Sequence, residues 1–144
     1  MYFQSTPMTE KQIQLVKSSW NLFRKMDPQL IGDVFYSRLF QQMPSLRSMF
    51  KVSMTEQYKK IVDTLSTIVA RLDRLEQNEE ISNLAIRHVQ YGVRPAHYKL
   101  VGDALLWTLE KGLGKDWDAE TADAWATCYK LLADTMIKAA EKAQ

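Results

Sequence analysis

This chain is predicted to be all-α. Apolar residues recur every three or four positions along most of it, the spacing of one buried helix face. No stretch alternates apolar and polar residues in the manner of a half-buried strand. Glycine and proline are scarce, with five and four copies among 144 residues, and read as punctuation at the edges of the helical runs.

Each run carries its own start and stop signals. Thr9-Glu10-Lys11-Gln12 fits a capping box, and Ile13, Val16, Trp20 and Phe23 follow at helical spacing. Asp27-Pro28 opens a second helix with a cap and a first-turn proline; Leu30, Ile31, Val34, Phe35 and Leu39 are expected on its inner side. Pro44 starts a short helical turn that reaches Phe50. Ser53 or Thr55 caps a long helix expected to run to about Leu75, with Ile61, Leu65, Ile68, Val69 and Leu72 on one face. A short helix through His88 stops at Gly92 and Pro95. The next is expected from Pro95 to Leu113, with Val101, Ala104, Leu105, Leu109 and Leu113 inward and Gly114 just past its end. Asp118 caps the last helix, which turns Trp125, Tyr129, Leu132, Ala133, Met136 and Ile137 inward.

Composition narrows the function classes. A chain of 144 residues, 46% of them hydrophobic, suffices for one domain with a substantial core. Met1–Ser5 reads as the remnant of an expression tag, which leaves residues 6–144 as a single domain. No segment approaches the roughly 18 apolar residues needed to span a bilayer, and no signal-peptide pattern is visible. The expected location is therefore cytoplasmic, without a membrane partner. A net charge of +2, with bases interspersed among acids, does not suit nucleic acid. Cys128 is the only cysteine, which excludes an internal disulfide and a thiolate metal cluster.

There are two histidines, His88 and His97. His88 follows Leu84 by one helical turn on the same face, and a neutral imidazole is the commonest side chain for holding a transition metal. A lone helical histidine is more often a solvated or hydrogen-bonded polar residue, so its surroundings decide. Gln57, Ile61 and Leu65 share one stripe of the long helix at four-residue spacing. A polar residue heading an apolar stripe suits a slot that receives a polar ligand.

Several motifs occur in a telling order: Phe35-Tyr36-Ser37-Arg38-Leu39-Phe40, Met49-Phe50, and Arg87-His88-Val89-Gln90-Tyr91-Gly92-Val93. His97-Tyr98-Lys99-Leu100-Val101-Gly102-Asp103-Ala104-Leu105-Leu106 and Gly112-Leu113-Gly114 ahead of Ala124-Trp125 complete the set. Together they resemble the bacterial single-domain globins and the globin domain of flavohaemoglobins; the later helices are also similar to neuroglobin. The resemblance covers about Glu10 to Ile137. It implies a globin fold, about seven to eight helices packed around a haem slot.

The resemblance also implies roles. His88 would be the ligand of the iron of haem b, and Phe50 the aromatic that wedges against the porphyrin. Tyr36 and Gln57 would face the other side and donate hydrogen bonds to a bound gas. Ile61, Leu65, Leu84 and Val93 would line the slot, Tyr98 would lie near the proximal histidine, and Lys60 and Arg87 would meet the propionates. His97 is expected as an exposed helix-start histidine, with a propionate contact as the alternative. In flavohaemoglobins a glutamate of the final helix completes a proximal relay; here Glu141 stands one position off register, so a strong relay is not expected. Trp107 either joins the helix contacts or faces outward at a subunit contact, and Cys128 is expected to be an inert buried thiol.

The implied function is high-affinity binding of O2, with NO and CO as further ligands, in oxygen binding and storage or in NO detoxification. No nucleotide-binding motif occurs in the sequence, so turnover as an NO dioxygenase is expected to need a separate electron-donor reductase. The alternatives are a haem-based gas sensor or haem-linked redox or signalling protein, and a globin-shaped protein without haem. His88, Phe50, Tyr36 and Gln57 together argue against the last. A monomer or weak homodimer is expected.

Overall fold

Six α-helices succeed one another in the computed structural model, which describes residues 8–50 and 53–142. They are α1 (Glu10–Phe23), α2 (Pro28–Gln42), α3 (Met54–Ala70), α4 (Glu79–Gln90), α5 (Pro95–Leu113) and α6 (Ala119–Lys142). Short 3₁₀ segments at Pro44–Met49, Leu72–Gln77 and Gly114–Asp116 join α2 to α3, α3 to α4 and α5 to α6. No strand occurs among the described residues, and none of their helices is long and apolar enough to cross a membrane. Met1–Ser5, read as a tag remnant, lies outside the described residues.

The local signals act where the sequence places them. The Thr9 hydroxyl accepts from the Gln12 N–H at 3.1 Å while the Gln12 side chain accepts from the Thr9 N–H at 3.0 Å, a complete capping box. Asp27 accepts from the Gln29 N–H ahead of Pro28, Ser53 from that of Glu56, and Asp118 from that of Thr121. Of the two candidate caps of α3, Ser53 is the one used.

α1 packs on α6, α2 on α3 and α5, and α4 on α6. Two indoles knit the centre. Trp20 donates to the Ser66 hydroxyl at 3.0 Å, linking α1 to α3, and Trp125 donates to the Ser19 hydroxyl at 2.8 Å, linking α6 to α1. Ser19 passes its own proton to the Leu15 carbonyl at 2.6 Å. The N–H of each deeply buried indole is thus satisfied, which avoids a penalty of about 1–3 kcal/mol per orphaned group. Cys128 is buried nearby, and burial pushes its thiol up to about 12, so it stays protonated and unreactive.

The structure departs from expectation at three places. α3 ends at Ala70 rather than near Leu75 and tightens into 3₁₀ geometry, with the Arg71 N–H bonding the Ile68 carbonyl. The backbone then kinks at Arg74, where φ is −138° and ψ 30°, and both Leu72 and Leu75 turn into the core. Leu30 is 52% exposed: the buried stripe of α2 runs Ile31-Phe35-Leu39, with Gly32 and Tyr36 beside it. Finally, Gly32 and Gly102 lie inside helices instead of at their edges.

Gly32 shows why. A Cβ built there would come within 2.2 Å of the Tyr58 ring, so the absence of a side chain is what lets α2 and α3 cross this closely. We expect Gly32→Ala to destabilise the fold by about 1–3 kcal/mol through overpacking. Adding Tyr58→Ala removes the two ring atoms of that clash and leaves only the approach of its Cβ, so the double variant should lose less than the sum of the two single losses in urea denaturation. Strict additivity would contradict the contact.

Candidate functional site

His88 stands in the last turn of α4, and the backbone around it is tightly specified. Asn78 caps the helix start through the Glu80 N–H at 2.8 Å. At the other end Gly92 adopts a positive φ of 92°, with its N–H on the Val89 carbonyl and the Val93 N–H on the His88 carbonyl at 2.9 Å. This is a Schellman ending, and the left-handed residue it requires explains the glycine. It places Val93 directly beyond His88.

The imidazole is fixed in turn. His88 Nδ1–H donates to the Leu84 carbonyl oxygen, one turn back, at 2.7 Å. A carbonyl can only accept, so the proton resides on Nδ1 and the Nε2 lone pair is left free. Burial, the largest influence, holds the ring's pKa below its ordinary value and favours the neutral form that a metal requires.

His97 has the opposite arrangement. Its Nδ1 accepts from the Arg94 N–H at 2.9 Å and closes the first turn of α5. In the neutral ring the proton then sits on Nε2, which has no lone pair to offer. His97 thus stands at the helix start, half-buried and not exposed as the sequence suggested.

Tyr36 lies on α2 within a cage of aromatic rings. Phe35 meets it edge-on at 4.8 Å, Phe50 edge-on at 5.3 Å, Phe40 at 5.8 Å and Tyr58 nearly parallel at 5.7 Å. Tyr36 is 5% exposed, and this burial pushes its pKa well above the usual phenol value, with the neighbouring Tyr58 adding to the shift. Its hydroxyl thus remains protonated, a donor throughout the neutral range. Phe40 and Phe50 also meet each other at 5.5 Å. Phe50 follows the Pro44–Met49 segment and so joins the Tyr36 cage from the α2–α3 connection.

The remaining sequence-chosen residues divide by burial. Gln57, Ile61, Leu84, Val93 and Tyr98 are half-buried, Leu65 is buried, and Lys60 and Arg87 are exposed. Gln57 occupies the first turn of α3, its N–H bonded to the Ser53 carbonyl. Tyr98 lines a recess of about 420 Å³ with Val89, Val93, Arg94, Ile137 and Glu141. Glu141, one position off register in sequence, is thus carried by α6 to the same recess as Tyr98. Burial raises the Tyr98 pKa. Trp107 is half-buried, with the Arg38 guanidinium 4.9 Å and the Lys111 ammonium 5.6 Å from its ring.

The helix of Gln57 and the helix of His88 make no extensive contact with each other; α3 packs on α2 and α1, and α4 on α6. Residues 33–136 match the Globin family. This chain belongs to the globins. A globin-like protein of Aquifex aeolicus is 31% identical over 136 residues, spanning 94% of this globin and 96% of that protein. A flavohemoprotein of Rhizobium meliloti is 29% identical over 133 residues, covering 90% of this chain but 33% of its own length. The solved bacterial globin of Campylobacter jejuni superposes with a TM-score of 0.76 at 25% identity, over 94% of this chain and 98% of that one.

Membership in the globins implies haem-based gas binding, and the residues present fit that group. One imidazole nitrogen is free and neutral, the apolar residues proposed to line the slot are mostly left half-buried by the protein alone, and the two helices that would flank a flat cofactor are anchored elsewhere. Sequence reasoning missed Tyr58 and Phe40. A glycine inside a helix pattern was the available signal for Tyr58, since such a glycine commonly marks a close approach.

We expect His88→Ala to lose or severely weaken haem retention and to lower the thermal midpoint of the haem-reconstituted protein, because a ligand that binds only the native state stabilises it. His97→Ala should retain the haem absorption band. Equal loss in both variants would reverse the assignment.

Proposed function

We propose that residues 6–144 form a single globin domain that holds haem b through His88 Nε2 and binds O2, with NO and CO as further ligands, on the face bordered by Tyr36 and Gln57. The observation that carries this reading is the 2.7 Å hydrogen bond from His88 Nδ1–H to Leu84, which prepares the other nitrogen as a metal ligand. Haem, when bound, would supply an iron able to bind a diatomic gas.

The chain's own residues set how that gas is held. Tyr36 offers an O–H kept protonated by burial, and Gln57 offers an N–H from the first turn of α3. The rings of Phe35, Phe40, Phe50 and Tyr58 pack around the Tyr36 ring and leave its surroundings mostly apolar. A hydrogen bond to an acceptor carrying negative charge in such surroundings contributes about 1.5–3 kcal/mol. Phe50, Ile61, Leu65, Leu84, Val93 and Tyr98 would line the cofactor's apolar surface, and the exposed Lys60 and Arg87 would meet its carboxylates.

Tyr36→Phe deletes one oxygen and little volume. We expect it to speed O2 release by roughly ten- to a hundredfold, in keeping with the loss of one such bond, as read by stopped-flow displacement. CO, which gathers less negative charge, should respond less. An O2 off-rate within a factor of two of the parent would remove Tyr36 from the site.

NO dioxygenation is a second reading, favoured by the flavohemoprotein relative and by the shared recess of Tyr98 and Glu141. NO and O2 combine to nitrate with uptake of one electron, which a separate reductase would return. Mixing the O2-loaded protein with one equivalent of NO should yield nitrate and a ferric spectrum that persists when NADH alone is added. Persistence of the O2-loaded spectrum in NO would leave oxygen binding as the better account.

A further inference from the structure

We propose that Tyr58 is a positioning residue for Tyr36: its ring, seated over Gly32, fixes where the Tyr36 hydroxyl lies and thereby how firmly a gas ligand is held. The proposal rests on the reading of Tyr36 as a donor to that ligand.

The geometry separates Tyr58 from the other rings of the cage. Phe35 and Phe40 stand on α2 with Tyr36, and Phe50 follows directly on the 3₁₀ segment that leaves α2. Tyr58 alone comes from α3, where it follows Gln57 in the chain. Its plane lies 23° from that of Tyr36 at 5.7 Å between centroids, so it forms a flat wall along one face of the phenol. Phe50 and Phe35 meet the ring at 79° and 81°. With edges on two sides and a face on the third, the Tyr36 side chain is held in one rotamer well, and removal of the face opens a path for it to lean toward α3.

Gly32 makes the wall possible. It precedes Tyr36 by four residues, one turn along the same face of α2, and a Cβ there would lie 2.2–2.5 Å from Cγ, Cδ1 and Cβ of Tyr58. The encroached atoms sit at the root of the side chain, so the ring cannot swing clear of a larger residue; it or the helix must move. Among the described residues no hydrogen bond engages the Tyr58 hydroxyl, which makes the ring, and not its oxygen, the working part. Tyr58 thereby sets the α2 donor relative to the α3 donor, two groups that converge on one ligand only if the helices hold register.

The test compares O2 release and the C–O stretching frequency of the CO complex, a direct reporter of a hydrogen bond to the ligand, in the haem-loaded protein. Tyr58→Leu should speed O2 release by at least about threefold, short of the effect of Tyr36→Phe, and shift the C–O band toward that of Tyr36→Phe. Tyr58→Phe should restore both to the parent values. In a Tyr36→Phe background, Tyr58→Leu should add nothing further, because its effect passes through the missing hydroxyl. If Tyr36→Phe is fast while Tyr58→Leu matches the parent, the positioning role is overturned and the distal reading stands. If Tyr36→Phe itself matches the parent, both are overturned. An equal effect of Tyr58→Leu with and without the Tyr36 hydroxyl would mark a merely structural role and overturn the proposal as well.

Discussion

The hydrogen bond from His88 Nδ1–H to the Leu84 carbonyl removes the one freedom of an imidazole that matters to a metal, the choice of which nitrogen carries the proton. For that bond to exist, α4 must remain helical to its last turn, since Leu84 and His88 are one turn apart. The Asn78 cap secures the beginning, and the Schellman ending at Gly92 secures the end. Packing does the rest. Ile81 and the fully buried Ala85 occupy the inner stripe of α4, and the small alanine lets the helix lie close on α6. Leu84 and His88 fall on a neighbouring stripe that stays half-buried. The sequence thus assigns one face of a short helix to the core and leaves the adjacent one for another purpose.

On the other side of the fold the constraint is aromatic. Burying a tyrosine beside a second tyrosine forgoes hydration of the phenol, a cost that a purely structural core avoids by using phenylalanine. The chain keeps the hydroxyl at Tyr36 and surrounds it with rings whose edges and faces define its direction. The central indoles show the contrasting solution, in which each polar atom is paired inside the protein, Trp20 with Ser66 and Trp125 with Ser19. The Tyr36 hydroxyl has no such internal partner among the described residues, which suits a group whose partner comes from outside.

How much of this could be read from the sequence follows from distance along the chain. The caps at Thr9, Asp27 and Asp118 and the stop at Gly92 are interactions within four or five residues, and their residue types announce them. The helix that carries His88 was legible because a short helical run ending in glycine is itself a local signal. The Gly32–Tyr58 contact joins residues on different helices: a glycine inside a helical pattern signals a close approach, but nothing local says which ring makes it. The break at Arg71 was hidden for a different reason. Leu72 and Leu75 are spaced three apart, which an α-helix and a 3₁₀ turn both accommodate, so the pattern alone did not choose between them. Leu30 was misplaced because it borders the Ile31-Phe35-Leu39 stripe by a single residue. Glu141 is a lesson in register: counted along the chain it misses its mark, yet the recess it lines with Tyr98 is formed by parts of three helices and their connections.

That recess has a mechanical meaning. α4 packs on α6 and buries Ile81 and Ala85 toward its beginning and middle, while Val89, Gly92 and Val93 border open space. A helix mounted in this way is a cantilever, stiff at its root and compliant toward its tip, because atoms facing a void have no contacts on that side to push them back. His88 rides near the tip. A small displacement imposed on its ring would therefore meet its first resistance in the final turn, where the Val93 N–H holds the His88 carbonyl ahead of α5.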